Sequence, residues 1–256
     1  MKLLKLDSNK KIYFVSDAHL GHPPKEKSLE REKLLVKWLD DIKKDAHSVY
    51  LLGDIFDYWF EYNKVVPRGF VRILGKLAEL NDSGIPIHFF TGNHDVWIFD
   101  YLPEEIGIIL HRKELNIEIN HKKFHIAHGD GLGPGEKGYK ILKSLFTSKI
   151  MQWLYARIHP NAATAFAHRW SKHSRLSKEA SLEFLGEEKE NLVLYAKEIL
   201  KKEHFDYFIF GHRHLPFDIV IHDNSHVICL GDWFNNFTFA VFDGTKIELV
   251  KYKNLN

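Results

Sequence analysis

Five short polar clusters carry the residue types of metal chemistry, and each follows an apolar run. They are Asp17 and His19 in SDAHLGH, Asp54 in GDIFDYW, Asn93 and His94 in GNHD, His128 in HGD, and His212 and His214 in GHRH. Asp17 and His19 lie two apart, as do His212 and His214, so at an extended strand end each pair shares a face. Asp17, His19, Asp54, Asn93, His128, His212 and His214 together offer carboxylate, amide oxygen and imidazole. That mixture suits Mn²⁺, Zn²⁺ or Fe²⁺ better than Ca²⁺, which takes an all-oxygen shell. Two such ions about 3.5–4 Å apart can hold a bridging hydroxide and clamp the attacking and leaving oxygens of an in-line displacement. Asp54 is the natural bridge, because one carboxylate can give an oxygen to each ion. His94, beside Asn93 in the same turn, is placed to stabilise developing charge or to protonate a leaving group. Asp54, Asn93 and His94 are therefore the candidate catalytic residues. Any one of these histidines alone reads as a surface or core residue, and GNHD or GHRH alone reads as a turn. Five clusters that each end a separate apolar run are not explained that way.

The elements that must position them are legible from periodicity. Residues 11–16, 48–52, 86–91, 123–127 and 207–210 are rich in Val, Ile, Phe, Tyr and Leu and read as strands. A polar turn at the end of each puts the site at the carboxyl edge of a sheet, where open α/β folds bind ligands. Between the first three, residues 28–44 place Leu34, Leu35, Trp38, Leu39 and Ile42 on one helical stripe. Residues 69–82 repeat the pattern through Phe70, Ile73, Leu74, Leu77 and Leu80, and stop at Ser83-Gly84. This alternation predicts a layered α/β core. Residues 131–204 open on GLGPGEKGY and then read as mostly helical with no strand run, so the chain divides into a core of 1–130 and 205–256 and a helical lid insertion of 131–204. The tail after Asp218 reads as the short strands of a β-meander.

Bulk properties exclude several classes. With 45% hydrophobic and 27% charged residues the chain is an ordinary globular protein. Lys plus Arg of 36 against Asp plus Glu of 34 gives +2, without the basic excess of a nucleic-acid binder. The single Cys229 sits in an apolar run, reads as a buried inert thiol, and suits a reducing compartment. The N-terminus has no apolar signal region and no run is long enough to span a bilayer, so a cytoplasmic protein is expected.

At this point the sequence resembles the calcineurin-like metallophosphoesterase family. The family pattern D-x-H, G-D, G-N-H-D, H and G-H-x-H is matched by Asp17-Ala18-His19, Gly53-Asp54, Gly92-Asn93-His94-Asp95, His128 and Gly211-His212-Arg213-His214. The resemblance implies a four-layer αββα sandwich. It implies one metal on Asp17, His19, Asp54 and His214, and a second on Asp54, Asn93, His128 and His212. DAHLG, GDIFDYWFEY, HGDGLGPGEKGY and GHRHLP are similar to the UDP-2,3-diacylglucosamine pyrophosphohydrolases of lipid A biosynthesis. That closer resemblance implies two Mn²⁺, with Zn²⁺, Fe²⁺ or Mg²⁺ as alternatives. It also implies attack by a metal-bridging hydroxide on the α-phosphorus of UDP-2,3-diacylglucosamine, giving UMP and 2,3-diacylglucosamine 1-phosphate.

The resemblance also sets expectations for substrate contacts. Asn93, His94, Glu136, Tyr139, Arg175 and His212 are the candidates, with Glu136 and Tyr139 at the lid entry. Proteobacterial members read G-N-R-D, with a phosphate-binding Arg where this chain has His94; Arg213 or Arg175 is the candidate replacement. Phe146, Met151, Trp153, Leu154, Tyr155 and Ile158 could line an acyl groove, or simply pack the insertion onto the core. Basic residues of the insertion could meet phosphates or the anionic lipid of the inner membrane's cytoplasmic face. Asp57 and Trp59 could shape the site floor or a uridine pocket, with packing an equal reading for Trp59; Asp95 should orient the GNHD turn, His22 reads as a turn residue, and His125 as structural. The competing functions are a phosphodiesterase or phosphatase for another soluble phosphoester, and a scaffold that kept the fold without catalysis.

Overall fold

The computed structural model describes residues 2–134, 137–176 and 183–252. Two six-stranded mixed sheets stack face to face. One sheet has the order β12 (Ile247–Lys251), β11 (Thr238–Phe242), β2 (Lys11–Val15), β3 (Ala46–Leu51), β4 (Ile87–Phe90), β5 (Ile109–His111). Its strands β2 to β5 run parallel, as the intervening helices require, and β11 joins antiparallel to β2. The other sheet has the order β1 (Lys2–Leu4), β6 (Leu115–Ile119), β7 (Lys122–Ile126), β8 (Tyr207–Phe210), β10 (His226–Leu230), β9 (Pro216–Val220).

Strand alternation explains the layering. Ile12 and Phe14 point into the space between the sheets, against Phe124, Ile126, Ile209 and Ile228. Tyr13 and Val15, on the opposite face of β2, meet Leu35, Trp38 and Leu39 of α1 (Lys25–Ile42). Ile73 and Leu77 of α2 (Val71–Asp82) and Leu102 of α3 (Tyr101–Ile106) complete that outer layer. On the other side, Leu192, Val193 and Ala196 of α7 (Asn191–Leu200) pack against Phe208, Phe210, Val227 and Cys229. The result is the expected four-layer αββα sandwich. Strands buried on both faces read as continuous apolar runs, and that is why periodicity found them.

The tail departs from a simple meander. Strands β9 and β10 pair antiparallel, but β10 continues parallel onto β8, while β11 crosses to the other sheet and pairs with β2. Strand β5 and the short β1 lie outside the five runs that periodicity picked out, because three residues are too few to alternate visibly.

After β7 come three helices, α4 (Lys137–Thr147), α5 (Lys149–Tyr155) and α6 (Pro160–Leu176). Tyr155 anchors them: the ring lies 4.8 Å from Phe60 and 4.7 Å from Trp97, and the hydroxyl donates to Ala163 O at 3.1 Å. Phe146 packs against Trp97 at 5.2 Å, and its carbonyl accepts the Trp97 indole N–H. Among the described residues no helix is long and apolar enough to cross a membrane.

Candidate metal centre

The five polar clusters converge at one edge of the sandwich. Asp17 and His19 follow β2, Asp54 follows β3, Asn93 and His94 follow β4, His128 follows β7, and His212 and His214 follow β8. Five of these residues have a left-handed backbone: Asp17 (φ 54°), His19 (φ 43°), Asp54 (φ 52°), His212 (φ 64°) and His214 (φ 56°). Such conformations cost about 1–3 kcal/mol each and persist where the surroundings dictate them. Close packing does so here. A Cβ at Gly92 would overlap the Asp54 carboxylate, and one at Gly53 would sit 2.6 Å from His128 Nδ1. Those glycines let neighbouring strand ends approach closely enough for their side chains to meet.

The ligand atoms form three overlapping groups: Asp17, His19 and His214; His19, Asp54 and His94; and Asp54, His128 and His212. His214 Nε2 lies 3.3 Å from Asp17 Oδ1 and 3.2 Å from His19 Nε2. Asp54 Oδ2 lies between the two halves, 3.8 Å from His19 Nε2 and 3.5 Å from His128 Nε2. Each carboxylate is held by one oxygen only. Asp17 Oδ2 accepts from the Ser16 hydroxyl at 2.5 Å and from His212 N–H at 2.9 Å, while Asp54 Oδ1 accepts from His94 N–H at 2.8 Å.

The atoms on the other side answer whether cations fit. Asp17 Oδ1, Asn93 Oδ1 and His128 Nε2 are buried and lack a hydrogen-bond partner in the protein. Buried polar atoms rarely stay unsatisfied, and these three belong to groups that favour divalent cations. His128 Nδ1 donates to Leu52 O at 2.6 Å, which leaves its Nε2 lone pair for a ligand. The donor set therefore fits a pair of divalent ions sharing Asp54.

Electrostatics in the protein alone agree. Burial would raise Asp17, but His214, His19 and His128 hold it down at about 2. Burial opposes a proton on His128, yet the Asp54 carboxylate pushes it up to about 10. Burial takes His19 down to about 3 and also lowers His94. Bound cations would displace protons from exactly such carboxylate–imidazole pairs, so ion affinity should fall with acid.

The remaining candidates separate. His94 Nδ1 donates to Asp57 O at 2.9 Å, so its Nε2 is the nitrogen left to face the site. Tyr139 reaches the site edge: its hydroxyl donates to Asp130 Oδ2 at 2.5 Å and its ring lies 6.3 Å from His212. Lys143 pairs with the same Asp130 oxygen at 2.7 Å. Glu136 lies outside the described residues, and of Arg175 only the place in α6 is described. The guanidinium of Arg213, the candidate replacement contact, is paired with the buried Glu190 at 2.8 Å. Trp59 is fully buried and donates to Glu61, so it is core and not a pocket wall.

Asp57 is buried behind the ligands, with Oδ1 3.3 Å from His19 Nδ1 and Oδ2 3.6 Å from His22 Nδ1. Asp95 accepts N–H donors from Gly92 at 2.7 Å and Ile55 at 2.9 Å, and so ties the GNHD turn to the Asp54 turn. Asp130, inside the HGD cluster but not singled out from it, and Asp232, whose only sequence signal is a Gly-Asp pair after an apolar strand, also back the site.

Comparisons with known proteins agree with this geometry. A family model described as calcineurin-like phosphoesterase matches residues 10–216. A Porphyromonas gingivalis protein named UDP-2,3-diacylglucosamine hydrolase is 41% identical over 96% of this chain and 98% of its own length. Proteins of the same name from Histophilus somni and Shewanella oneidensis are 27% and 26% identical; the alignments cover 88% and 92% of this chain, and 92% and 95% of theirs. The family implies a dinuclear divalent-metal site. The chain belongs to the calcineurin-like phosphoesterase family and is a metal-dependent phosphoester hydrolase.

Proposed function

We propose that the chain hydrolyses UDP-2,3-diacylglucosamine, with water attacking the α-phosphorus and UMP and 2,3-diacylglucosamine 1-phosphate as products. The observation that supports this reading beyond the relatives' names is a cavity of about 940 Å³ between the core and α6, lined by residues that follow His19 and Asp57 in the chain. It begins at Leu20 and Gly21, next to His19, and at Tyr58, next to Asp57. It runs between Phe60, Val65, Val66 and Phe70 of the core and Pro160, Thr164 and Ala165 of α6. Largely apolar walls of that size suit acyl chains, and Lys25, Arg68 and Arg72 outnumber the one carboxylate, Glu32, among them.

Asp17, His19, Asp54 and His214 would hold one cation, and Asp54, Asn93, His128 and His212 the other, with Mn²⁺ the ion we favour. Two such ions, when bound, supply Lewis acidity toward phosphoryl oxygens and lower the pKa of water. His94, fixed through Nδ1, offers Nε2 to the phosphoryl oxygens, and Tyr139 closes the His212 side. We read residues 131–204 as an insertion in a core of 1–130 and 205–256. In it α4 to α6 form the lid, and α7 packs on the core.

The lid also supports contact with the cytoplasmic face of an anionic membrane. Residues 137–176 contain eight cations (Lys137, Lys140, Lys143, Lys149, Arg157, Arg169, Lys172, Arg175) and no Asp or Glu. On α5 no residue is buried; Ile150 is 72% and Trp153 56% exposed, and Arg157 stacks over the Trp153 ring at 4.5 Å. Apolar residues ringed by cations suit an interfacial helix.

The test is a panel with Mn²⁺: UDP-2,3-diacylglucosamine, its deacylated form, a cyclic nucleotide and bis-p-nitrophenyl phosphate. Turnover that requires the acyl chains supports the proposal, whereas equal turnover of the small diesters overturns it. Sedimentation with phosphatidylglycerol vesicles, lost in Trp153→Glu, tests the membrane contact separately.

A further inference from the structure

The loop between β10 and β11 lies C-terminal to all five motif clusters, yet it grips two of the candidate ligands. Trp233 N–H donates to Asp17 O at 3.1 Å, and Asn236 Nδ2 donates to His214 O at 2.9 Å. Between them, Asp232 Oδ2 lies 3.4 Å from His214 Nδ1. Trp233 is itself locked, buried with its ring 5.5 Å from Trp38 and 5.6 Å from Tyr252. The loop is thus anchored in the core and presses on the Asp17–His214 side of the site.

Asp232 is built for one task. It is 2% exposed, and its Oδ1 accepts three backbone N–H groups of its own loop: Phe234 at 3.0 Å, Asn235 at 2.7 Å and Asn236 at 2.8 Å. Those bonds hold the carboxylate by Oδ1 and leave Oδ2 3.4 Å from His214 Nδ1. On the other side of that ring, Nε2 faces Asp17 Oδ1 at 3.3 Å. A carboxylate behind an imidazole fixes its tautomer and raises its basicity as a ligand. The neutral Leu52 carbonyl behind His128 provides orientation without the charge.

We propose that Asp232 is a positioning residue for the cation on the Asp17–His214 side. It keeps a proton on His214 Nδ1 and so keeps the Nε2 lone pair on the metal. The inference rests on the two-cation reading of the site.

Asp232→Asn is the sharpest test. The amide oxygen can still accept the three loop N–H groups, but the amide N–H₂ then meets His214 Nδ1 and favours the wrong tautomer. Metal-stripped full-length protein would be titrated with Mn²⁺ by calorimetry, with electron paramagnetic resonance at two equivalents. One of two Mn²⁺ affinities should fall about 10–100-fold while the other stays within threefold. The spin-coupled signal of a cation pair should give way to that of isolated Mn²⁺, with the melting temperature of the stripped protein little changed. Asp232→Ser, whose hydroxyl still accepts from the loop, should show the same loss, and Asp232→Glu should recover most of it. Two unchanged affinities in both the Asn and Ser variants would overturn the inference alone. Wild-type protein that binds fewer than two Mn²⁺ would overturn the two-cation reading and this inference with it.

Discussion

The Nε of Arg213 donates to Oε1 of Glu190 at 2.8 Å, and a second guanidinium nitrogen reaches Oε2 at 3.4 Å. The same nitrogen donates to Glu183 O at 2.9 Å. Glu190 is buried at the start of α7, so this arginine ties that helix to the turn that carries His212 and His214. That pairing points to a structural role for its charge.

Arg213→Met should therefore act on stability. Removing one partner of a buried pair costs about 3–5 kcal/mol, because the remaining charge stays buried. Urea unfolding should show a loss near the lower end, since the Arg213 side chain is 16% exposed. KM for the nucleotide substrate should move less than threefold. A stable variant with a raised KM would return Arg213 to the substrate.

Asp54→Asn should separate the site from the fold. Asn accepts left-handed backbone as readily as Asp, and its amide oxygen can still take the His94 N–H. Circular dichroism should be unchanged. The shared negative charge is lost, and kcat should fall on the order of 10³-fold, the scale of a removed main electrostatic contact. A variant within tenfold of wild type would mean that Asp54 is not shared between two ions.

Much of this centre was legible because chemistry and fold coincide at strand ends. Asp17, Asp54, Asn93, His128 and His212 each follow an apolar run that is buried on both faces, so pattern and residue type point to one place. Asp232 and Asp130 were not legible. Asp232 acts through His214, brought close only by the sheet order, and nothing in local sequence records that β10 lies beside β8; Asp130 sits in the HGD cluster, but its pairing with Tyr139 and Lys143 depends on how α4 folds back. The positive φ of Asp17 and His214 was equally hidden, since it is imposed by neighbouring turns and not by the residues themselves. The tail misled as a meander because a strand's alternation does not say which sheet it joins.

Tyr155 offers a test of the lid that leaves the metal site untouched. Its hydroxyl lies 3.2 Å from Tyr58 OH and its ring fills the space between Phe60 and Trp97. Tyr155→Phe removes two hydrogen bonds, each worth about 1 kcal/mol, but only the one to Tyr58 joins the two sides, so KM should rise less than in the alanine variant. Tyr155→Ala should raise KM for the diacyl substrate at least about tenfold, if roughly 1.4 kcal/mol of lid docking is lost. Hydrolysis of bis-p-nitrophenyl phosphate should stay within threefold of wild type. Equal losses on both substrates would show that the lid shapes the centre itself.

His125 makes a pH prediction away from the centre. Its Nδ1 donates to Asn116 Oδ1 at 2.7 Å and its Nε2 accepts from Tyr195 OH at 3.2 Å, so the neutral ring is satisfied. Burial takes its pKa down from 6.5 to about 4. A depressed folded-state value means stability present above about pH 6.5 and lost as pH falls toward 4. Between pH 7 and 5 the loss from this one residue is about 2 kcal/mol. His125→Gln should flatten the acid side of the stability curve by that amount relative to wild type, measured by urea unfolding in chelator. An identical slope in the variant would show that His125 takes up its proton without penalty.

The role of His94 turns on the leaving group. Cleavage at the α-phosphorus of a nucleotide sugar expels a sugar phosphate, whose second ionisation lies near pH 6 as for other phosphomonoesters. Such a group departs near neutral pH without a proton. Its Nδ1 already donates to Asp57 O, and burial lowers its pKa, so the ring is better suited to meet phosphoryl charge by hydrogen bonding than to hold a proton in reserve. His94→Ala should then lower kcat about 100-fold, the scale of one lost oxyanion contact. His94→Gln, which keeps an N–H donor, should recover about tenfold of that loss, and the alkaline limb of the pH–rate profile should survive in both variants. If proton donation were the role, both variants would lose equally and the alkaline limb would vanish with the ring.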